Sequence, residues 1–321
     1  MSSLIAERAA ANLQVVDLCR VRPHELRSLW EREARLWRER FDWDVTTAMS
    51  ALERAVDRGG LVGKAIRCDG VTAAYAYYVV EGDRGVISGL VVSPAFRDSE
   101  IGRMMLHAIL EDFYRRRVRR IETQFVCFDA PWLAESFEAE GFQTVWRDFL
   151  RRTVSRVHPE AGPSSRVVLL PWTAWNMSEM AALMERAHRG GADARMNELY
   201  RSSSGCRLLL NNILRQRGCG KALAEVSTVA REPATDAAAG FAIVTEVAKG
   251  HGHLAQVAVD PVFQRQGVGR LLLTNTLDRL AEIGIRTLSL MVSRDNFRAL
   301  HLYRTLGFEP TCRFPVFSLE R

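Results

Sequence analysis

Apolar and polar positions along the 321-residue chain fall into the same succession twice. In the first half a short apolar run, Leu13 to Leu18, precedes a helix opening at Pro23, where proline suits the first turn because its missing N–H has no intrahelical partner there. A second helical stretch covers Thr46 to Val56. Three β-rich runs follow, Gly60 to Cys68, Val71 to Val80 and Gly85 to Val92. The turn pairs Asp69-Gly70 and Gly82-Asp83 between them tolerate left-handed backbone, which predicts an antiparallel meander. Beyond Ser93-Pro94 the period changes to helix (Ile101 to Arg117), strand (Arg120 to Val126), helix (Pro131 to Glu140) and strand (Phe142 to Arg151). A helix between two strands predicts a crossover and a parallel pair.

The second half repeats this order with strand Val167 to Leu170, helices Ser178 to His188 and Cys206 to Gln216, and strands Lys221 to Ala230, Gly240 to Val247 and Gly252 to Val259. Helix Gly267 to Ile283, strand Arg286 to Val292, helix Asp295 to Leu306 and strand Cys312 to Leu319 complete it. Between the halves, Ser155 to Ser165 holds Pro159, Gly162, Pro163 and serines, a linker composition. Val91-Val92-Ser93-Pro94 lies opposite Ala258-Val259-Asp260-Pro261, and Glu140-Gly141-Phe142 opposite Leu306-Gly307-Phe308, at offsets of 167 and 166 residues. Two matched landmarks at nearly one offset point to a duplication. The expected fold class is α/β (α+β): domains at residues 1–153 and 166–321, a linker at 154–165, and in each copy a mixed, mainly antiparallel sheet flanked by helices.

Composition narrows the class. Hydrophobic residues make up 47% of the chain and charged residues 26%, as in globular proteins. The longest apolar stretch, Val71 to Val80, is far short of the roughly 20 residues that span a bilayer. Met1 to Ala11 carries Glu7 and Arg8 and has no secretory pattern, so a cytoplasmic location is expected. The six cysteines form neither a Cys-x-x-Cys pair nor a cluster with histidine, which argues against a disulfide framework and against a metal site. The net charge of +6 suits an anionic ligand. Its densest part, Arg115 to Arg120, falls where a helix ends, a position favoured for cations. No aromatic residues interleave it, so a nucleic-acid partner is disfavoured.

Candidate chemistry concentrates after the second meander. Gln264-Arg265-Gln266-Gly267-Val268-Gly269-Arg270 joins a strand to a helix. The first N–H groups of a helix lack intrahelical partners and the dipole there is positive, so phosphate is favoured. Gly267 and Gly269 let the backbone approach a pyrophosphate, and Arg265 and Arg270 add charge. This segment resembles the Gln/Arg-x-x-Gly-x-Gly/Ala loop of the GNAT family, the Gcn5-related N-acetyltransferases. A second segment, Asn296-Phe297-Arg298-Ala299-Leu300-His301-Leu302-Tyr303-Arg304-Thr305-Leu306-Gly307-Phe308, resembles that family's Asn-x-x-Ala-x-x-Leu-Tyr-x-x-x-Gly-Phe motif.

The resemblance implies acetyl-CoA (coenzyme A) as cofactor. The backbone of Val257 and Val259, the loop residues Gln264, Arg265, Gln266, Gly267, Val268, Gly269 and Arg270, and Asn296 would lie against it. In family members the motif tyrosine sits beside the coenzyme A sulfur and returns a proton to the departing thiolate. This is the role implied for Tyr303, whose other reading is a packed tyrosine with its hydroxyl satisfied locally. Asn296 also suits a helix N-cap. In several family members a glutamate on the fourth strand, eleven residues before the loop, acts as base through water. The same count back from Gln264 lands on His253. Either His253 is that base or it is a satisfied strand histidine, with Glu246 as second candidate. Cys206 and Cys219 lack a histidine-acid partner at recognisable spacing, so direct transfer in a ternary complex is expected over an acyl-enzyme.

In the first half the loop reads Arg97-Asp98-Ser99-Glu100-Ile101-Gly102, with a carboxylate where the first glycine belongs. Phe137 replaces the tyrosine and Val86 stands at the base position. The first copy therefore keeps the fold and loses the chemistry, a plan that resembles the mycothiol-synthase-like two-domain GNAT proteins. The expected activity is acetyl transfer to a primary amine of a small molecule or peptide, in the second copy. The alternatives are a protein N-terminal or lysine acetyltransferase and a non-catalytic acyl-CoA-binding regulator.

Overall fold

The computed structural model describes residues 12–96, 99–123, 130–156, 166–173, 176–215 and 219–321. Residues 1–11, Arg97 and Asp98 of the first-half loop, the strand beyond Thr123, Cys127 and most of the expected linker lie outside them. The chain divides into two compact units, the first formed by the described residues of Met1–Glu39, Val45–Trp146 and Phe314–Arg321, the second by Arg40–Asp44 and Arg147–Arg313.

In the first unit, strands β1 (Leu13–Asp17), β2 (Gly63–Cys68), β3 (Val71–Glu81) and β4 (Arg84–Val92) form the expected antiparallel meander. Asp69 and Gly70 both take positive φ, the two-residue turn that matches strand twist. β4 then pairs in parallel with β5 (Arg120–Thr123). Helices α1 (Pro23–Phe41), α2 (Thr46–Asp57), α3 (Ser99–Arg115) and α4 (Ala130–Ala139) complete this part of the chain. Along α3, Ile101, Met105, Leu106, Ile109, Leu110 and Phe113 form one buried stripe in a core with Ile66, Ala74 and Ile87 of the sheet. Phe137, at the position of Tyr303, is fully buried and stacks on Phe317 at 4.1 Å, a packing role with no polar group to offer.

The second unit has strand order β7 (Val168–Pro171), β9 (Thr228–Arg231), β10 (Ala238–Ala248), β11 (His251–Val259), β12 (Thr287–Ser293) and β6 (Gln143–Thr153). Helices α5 (Met177–His188), α6 (Ala192–Met196), α7 (Ser203–Arg215), α8 (Val268–Glu282) and α9 (Phe297–Thr305) belong to it. The run Lys221 to Ala230, expected as one strand, is two: β8 (Lys221–Ala222) and β9, both paired with β10. Between them Ser227 donates its hydroxyl to the carbonyl of Leu223 and accepts the N–H of Val244, which holds the chain in a turn.

The expected boundaries at 153 and 166 do not coincide with these units. β6, read as closing the first copy's sheet, runs antiparallel to β12 from Arg147 to Thr153. The last strand, β13 (Glu309–Glu320), read as closing the second copy, pairs through Ser318–Glu320 with β5. Each unit thus ends on a strand supplied by the other half of the sequence. Alternation of side chains identifies a strand and its buried face, but carries no information about which distant strand it joins. Glu122, fully buried, locks the first exchange: Arg84 donates to it at 2.8 Å and Arg120 at 2.5 Å, and Arg120 also reaches Glu320 at 2.7 Å. The second unit also takes in Arg40–Asp44, where Phe41 meets Phe149 edge to face at 4.4 Å and the Asp44 N–H donates to the Val247 carbonyl.

Candidate active site

β11 and β12 are paired over three positions only, ending at His253 and Ser289. An irregularity in the pairing of β10 with β11, at Ile243/Val244, bends β11 just beyond that point. β12 stays in register with β6 up to Ser293. The two strands consequently splay, and from Leu254 to Val259 no strand among the described residues pairs with this edge of β11. A cavity of about 800 Å³ opens there, lined by β11, β12, the start of α8, α9 and the segment after α5.

The glycine loop forms one wall. Asp260 caps a short turn by accepting the N–H of Val262, and Gln264 donates its amide to the carbonyl of Val259, which fixes where the loop leaves the strand. Arg265 and Gly267 both have positive φ, +62° and +82°. Left-handed residues alternating with right-handed ones turn successive N–H groups to one side, the concave arrangement that holds anions. The first backbone bond of α8 runs from Leu271 to Gly267, so the turn before it presents its N–H groups at the positive end of the helix dipole. At Gly269 a Cβ would come within 3.3 Å of Leu302. The glycine keeps this wall thin.

Nine of the twelve residues expected from the sequence line this one cavity: Val257, Val259, Gln264, Arg265, Gly267, Gly269, Arg270, Asn296 and Tyr303. Asn296 is the N-cap of α9, its side-chain oxygen accepting the N–H of Ala299. The phenol ring of Tyr303 is 6% exposed and meets Phe308 edge to face, while among the described residues no group hydrogen-bonds its hydroxyl. Burial lifts its pKa well above the ordinary phenol range, the charge of Asp193 adding to this and that of Arg147 opposing it. The hydroxyl keeps its proton at any physiological pH.

Three expected residues stand apart. Gln266 donates its amide outward to the Val262 carbonyl, and Val268 is buried in the core beneath α8. His253 does not line the cavity: it is 5% exposed, packed between Trp43 and Phe149, with Nδ1 2.9 Å from the Ser289 hydroxyl. Burial, with the nearby charges of His251 and Arg147, pushes its pKa down to about 3. With Nδ1 on Ser289 and its ring between two aromatic side chains, His253 fits the satisfied strand histidine better than the base. Its neighbour His251 spans Asp42 and Ser289, each at 3.0 Å, and tethers residues 40–44. Glu246 accepts the N–H of Gly250 and closes a hairpin.

The structure brings to the cavity a group that periodicity did not reveal. His188, at the end of α5, places Nδ1 3.3 Å from Asp193 on α6 and Nε2 2.9 Å from the side-chain amide of Gln256 on β11. Tyr200, in the 3-10 turn Glu198–Arg201, donates to the other end of that amide at 3.0 Å and packs its ring on His188. Asp193 also accepts from Ser293 and faces Arg147 at 3.6 Å. Burial alone would raise its pKa, but the His188 hydrogen bond and the Arg147 charge outweigh that and hold it well below the carboxylate range. The only sequence signal was a histidine and an aspartate flanking Gly190-Gly191, in a stretch without periodicity. In the first copy Gly89 occupies the position of Gln256, and the ring of its cross-strand partner Tyr77 lies where a Cβ would be.

Comparison with known proteins agrees with this geometry. The Acetyltransferase (GNAT) family matches residues 199–308, and an Acetyltransferase (GNAT) domain matches residues 6–132. The chain belongs to the GNAT superfamily and carries two copies of its domain. It is 29% identical over 248 residues to a mycothiol acetyltransferase of Clavibacter sepedonicus, covering 73% of this chain and 72% of that one. It is 47% identical over 81 residues to the [ribosomal protein bS18]-alanine N-acetyltransferase of Salmonella typhimurium, a match to 25% of this chain that spans about half (54%) of that relative's length. In fold it resembles a GCN5-related N-acetyltransferase from Sphaerobacter thermophilus (TM-score 0.69, 15% identity, 96% and 95% of the two chains covered). A tandem GNAT protein from the clavulanic acid biosynthesis pathway is also similar (TM-score 0.61, 17% identity, 96% and 98% covered).

Proposed function

We propose that the second unit catalyses transfer of an acetyl group from acetyl-CoA to a primary amine of a small molecule or peptide, by direct attack while both substrates are bound. One observation carries this reading: a single cavity holds both an anion-binding loop at a helix N-terminus and the buried, protonated hydroxyl of Tyr303. The donor supplies an activated acetyl thioester. The N–H groups of the Arg265–Gly269 loop and the first turn of α8 suit its pyrophosphate, with Arg265 and Arg270 adding charge. The uncovered edge of β11 offers backbone groups to the acyl-bearing end, and Tyr303 gives its proton to the leaving sulfur. Holding amine and thioester together in one walled cleft supplies a further part of the rate. The two relatives named above are acetyltransferases by name, one acting on a protein's alanine nitrogen.

Acetyl-CoA should raise the melting temperature of the full chain, and mixing it with a panel of amino acids, amino sugars and short peptides should release free thiol with at least one class. Stabilisation without thiol release from any amine would favour a binding protein over an enzyme.

A further inference from the structure

We propose that His188, oriented by Asp193, is the base that takes the proton from the acceptor ammonium group; this rests on the acetyltransferase reading above. The argument begins from what the reaction needs. An amine is mostly ammonium near neutral pH and has no lone pair to attack with until it loses a proton. The strand histidine expected to receive that proton, His253, is buried and is not among the residues that line the cavity. His188 lies on the cavity wall with a side chain 16% exposed, and shares the cavity with Tyr303.

Its surroundings suit a group that changes protonation state. The ionised carboxylate of Asp193 fixes the Nδ1–H tautomer and leaves the Nε2 lone pair directed at Gln256. The Gln256 amide donates to that lone pair when the ring is neutral. A half-turn of the amide presents its oxygen instead, so the imidazolium Nε2–H also finds an acceptor, while the Tyr200 hydroxyl bonds either end. The charges facing the ring are Asp193 from α6 and, behind it, Arg147 from β6; Tyr200 covers one face of the ring. On α5 itself, Glu185 and Arg189 pair with each other and Arg186 pairs with Asp260.

The step balances as follows. An N–H bond of the ammonium breaks and its proton goes to Nε2 of His188, whose hydrogen bond from the Gln256 amide opens as that amide turns. The freed lone pair forms the C–N bond at the thioester carbonyl, and the C–S pair leaves with sulfur, which takes the proton of Tyr303. The new amide nitrogen sheds its surplus proton to restore Tyr303, and His188 returns its own to solvent.

The test uses the full chain, acetyl-CoA and the amine panel. In wild type, kcat/KM should show one acid limb, falling as the pH drops. His188→Gln should lower kcat/KM at pH 7 by about 100-fold and remove that acid limb, while acetyl-CoA still stabilises the protein. Asp193→Asn should lose less and shift the limb. An unchanged rate and acid limb in His188→Gln overturns the proposal. Stabilisation by acetyl-CoA with no amine turned over by wild type overturns the base together with the enzymatic reading. No stabilisation of wild type by acetyl-CoA overturns the acetyltransferase reading itself.

Discussion

Replacing Tyr303 by phenylalanine removes one oxygen from a site where its other possible roles are already excluded. The ring fills the core under α9, 6% exposed and against Phe308, and phenylalanine keeps that volume and contact. No described group bonds the hydroxyl, so its loss leaves no orphaned partner and the melting temperature should move by no more than about 2 °C. In the proposed reaction the loop and the first turn of α8 hold the donor, so its affinity should stay within about twofold. In the proposed reaction this hydroxyl supplies the proton for the leaving sulfur, and general acid catalysis is worth about 10²–10⁴ in rate, or about 2.7–5.4 kcal/mol of barrier. Stopped-flow thiol release gives kcat, and calorimetric titration with acetyl-CoA gives Kd. A parallel loss in both would show that Tyr303 binds the donor and would remove its acid role. Wild-type kcat would show that sulfur leaves unaided.

Further expectations follow from other parts of the molecule. Gly267→Glu copies the first half's Glu100 and places both a side chain at φ +82° and a carboxylate at the anion site; acetyl-CoA affinity should fall more than about 100-fold, and unchanged affinity by calorimetry would mean the donor binds elsewhere. Glu122→Gln leaves Arg84 and Arg120 buried without their shared charge. Because Glu81 and Glu320 still reach them, the cost should sit at the low end of the range for broken buried pairs, about 3 kcal/mol, read from the urea midpoint. His253 has a folded pKa below its unfolded value, so between about pH 6.5 and 3 the unfolded chain binds the extra proton; stability should fall on acidification by up to about 1.4 kcal/mol per pH unit. His253→Gln should flatten that slope with turnover within about threefold of wild type, and a large drop in kcat would return His253 to the chemistry.

Local signals carried the sequence reading far in some places. The meanders were legible because alternation, Asp-Gly turns and buried faces agree, and the donor loop because a strand, two glycines and a helix must follow one another to make it. Asn296 announced both its cap and its place at the cavity. The His188 cluster escaped the sequence for a physical reason: His188, Asp193, Tyr200 and Gln256 come from a helix end, a five-residue helix, a turn and a strand, and their meeting depends on packing alone. Counting along β11 found a histidine of the right type whose side chain points into Trp43 and Phe149. Arg147 escaped notice because β6 belongs, by its position in the chain, to the other half.

That exchange of strands has an evolutionary consequence. A gene encoding the second copy alone, cut at the linker, would lack β6 and the Arg40–Asp44 segment; β12 would end on an open edge, prone to pairing with other chains, and Asp193 would lose Arg147. The first copy would likewise lose the strand that Glu122 and Arg120 hold. Once such a swap is fixed, deleting the first copy leaves a second copy that cannot complete its sheet. The first copy's own loop and tyrosine position can then diverge without making that copy dispensable, because β6 and residues 40–44 complete the sheet and core of the second unit.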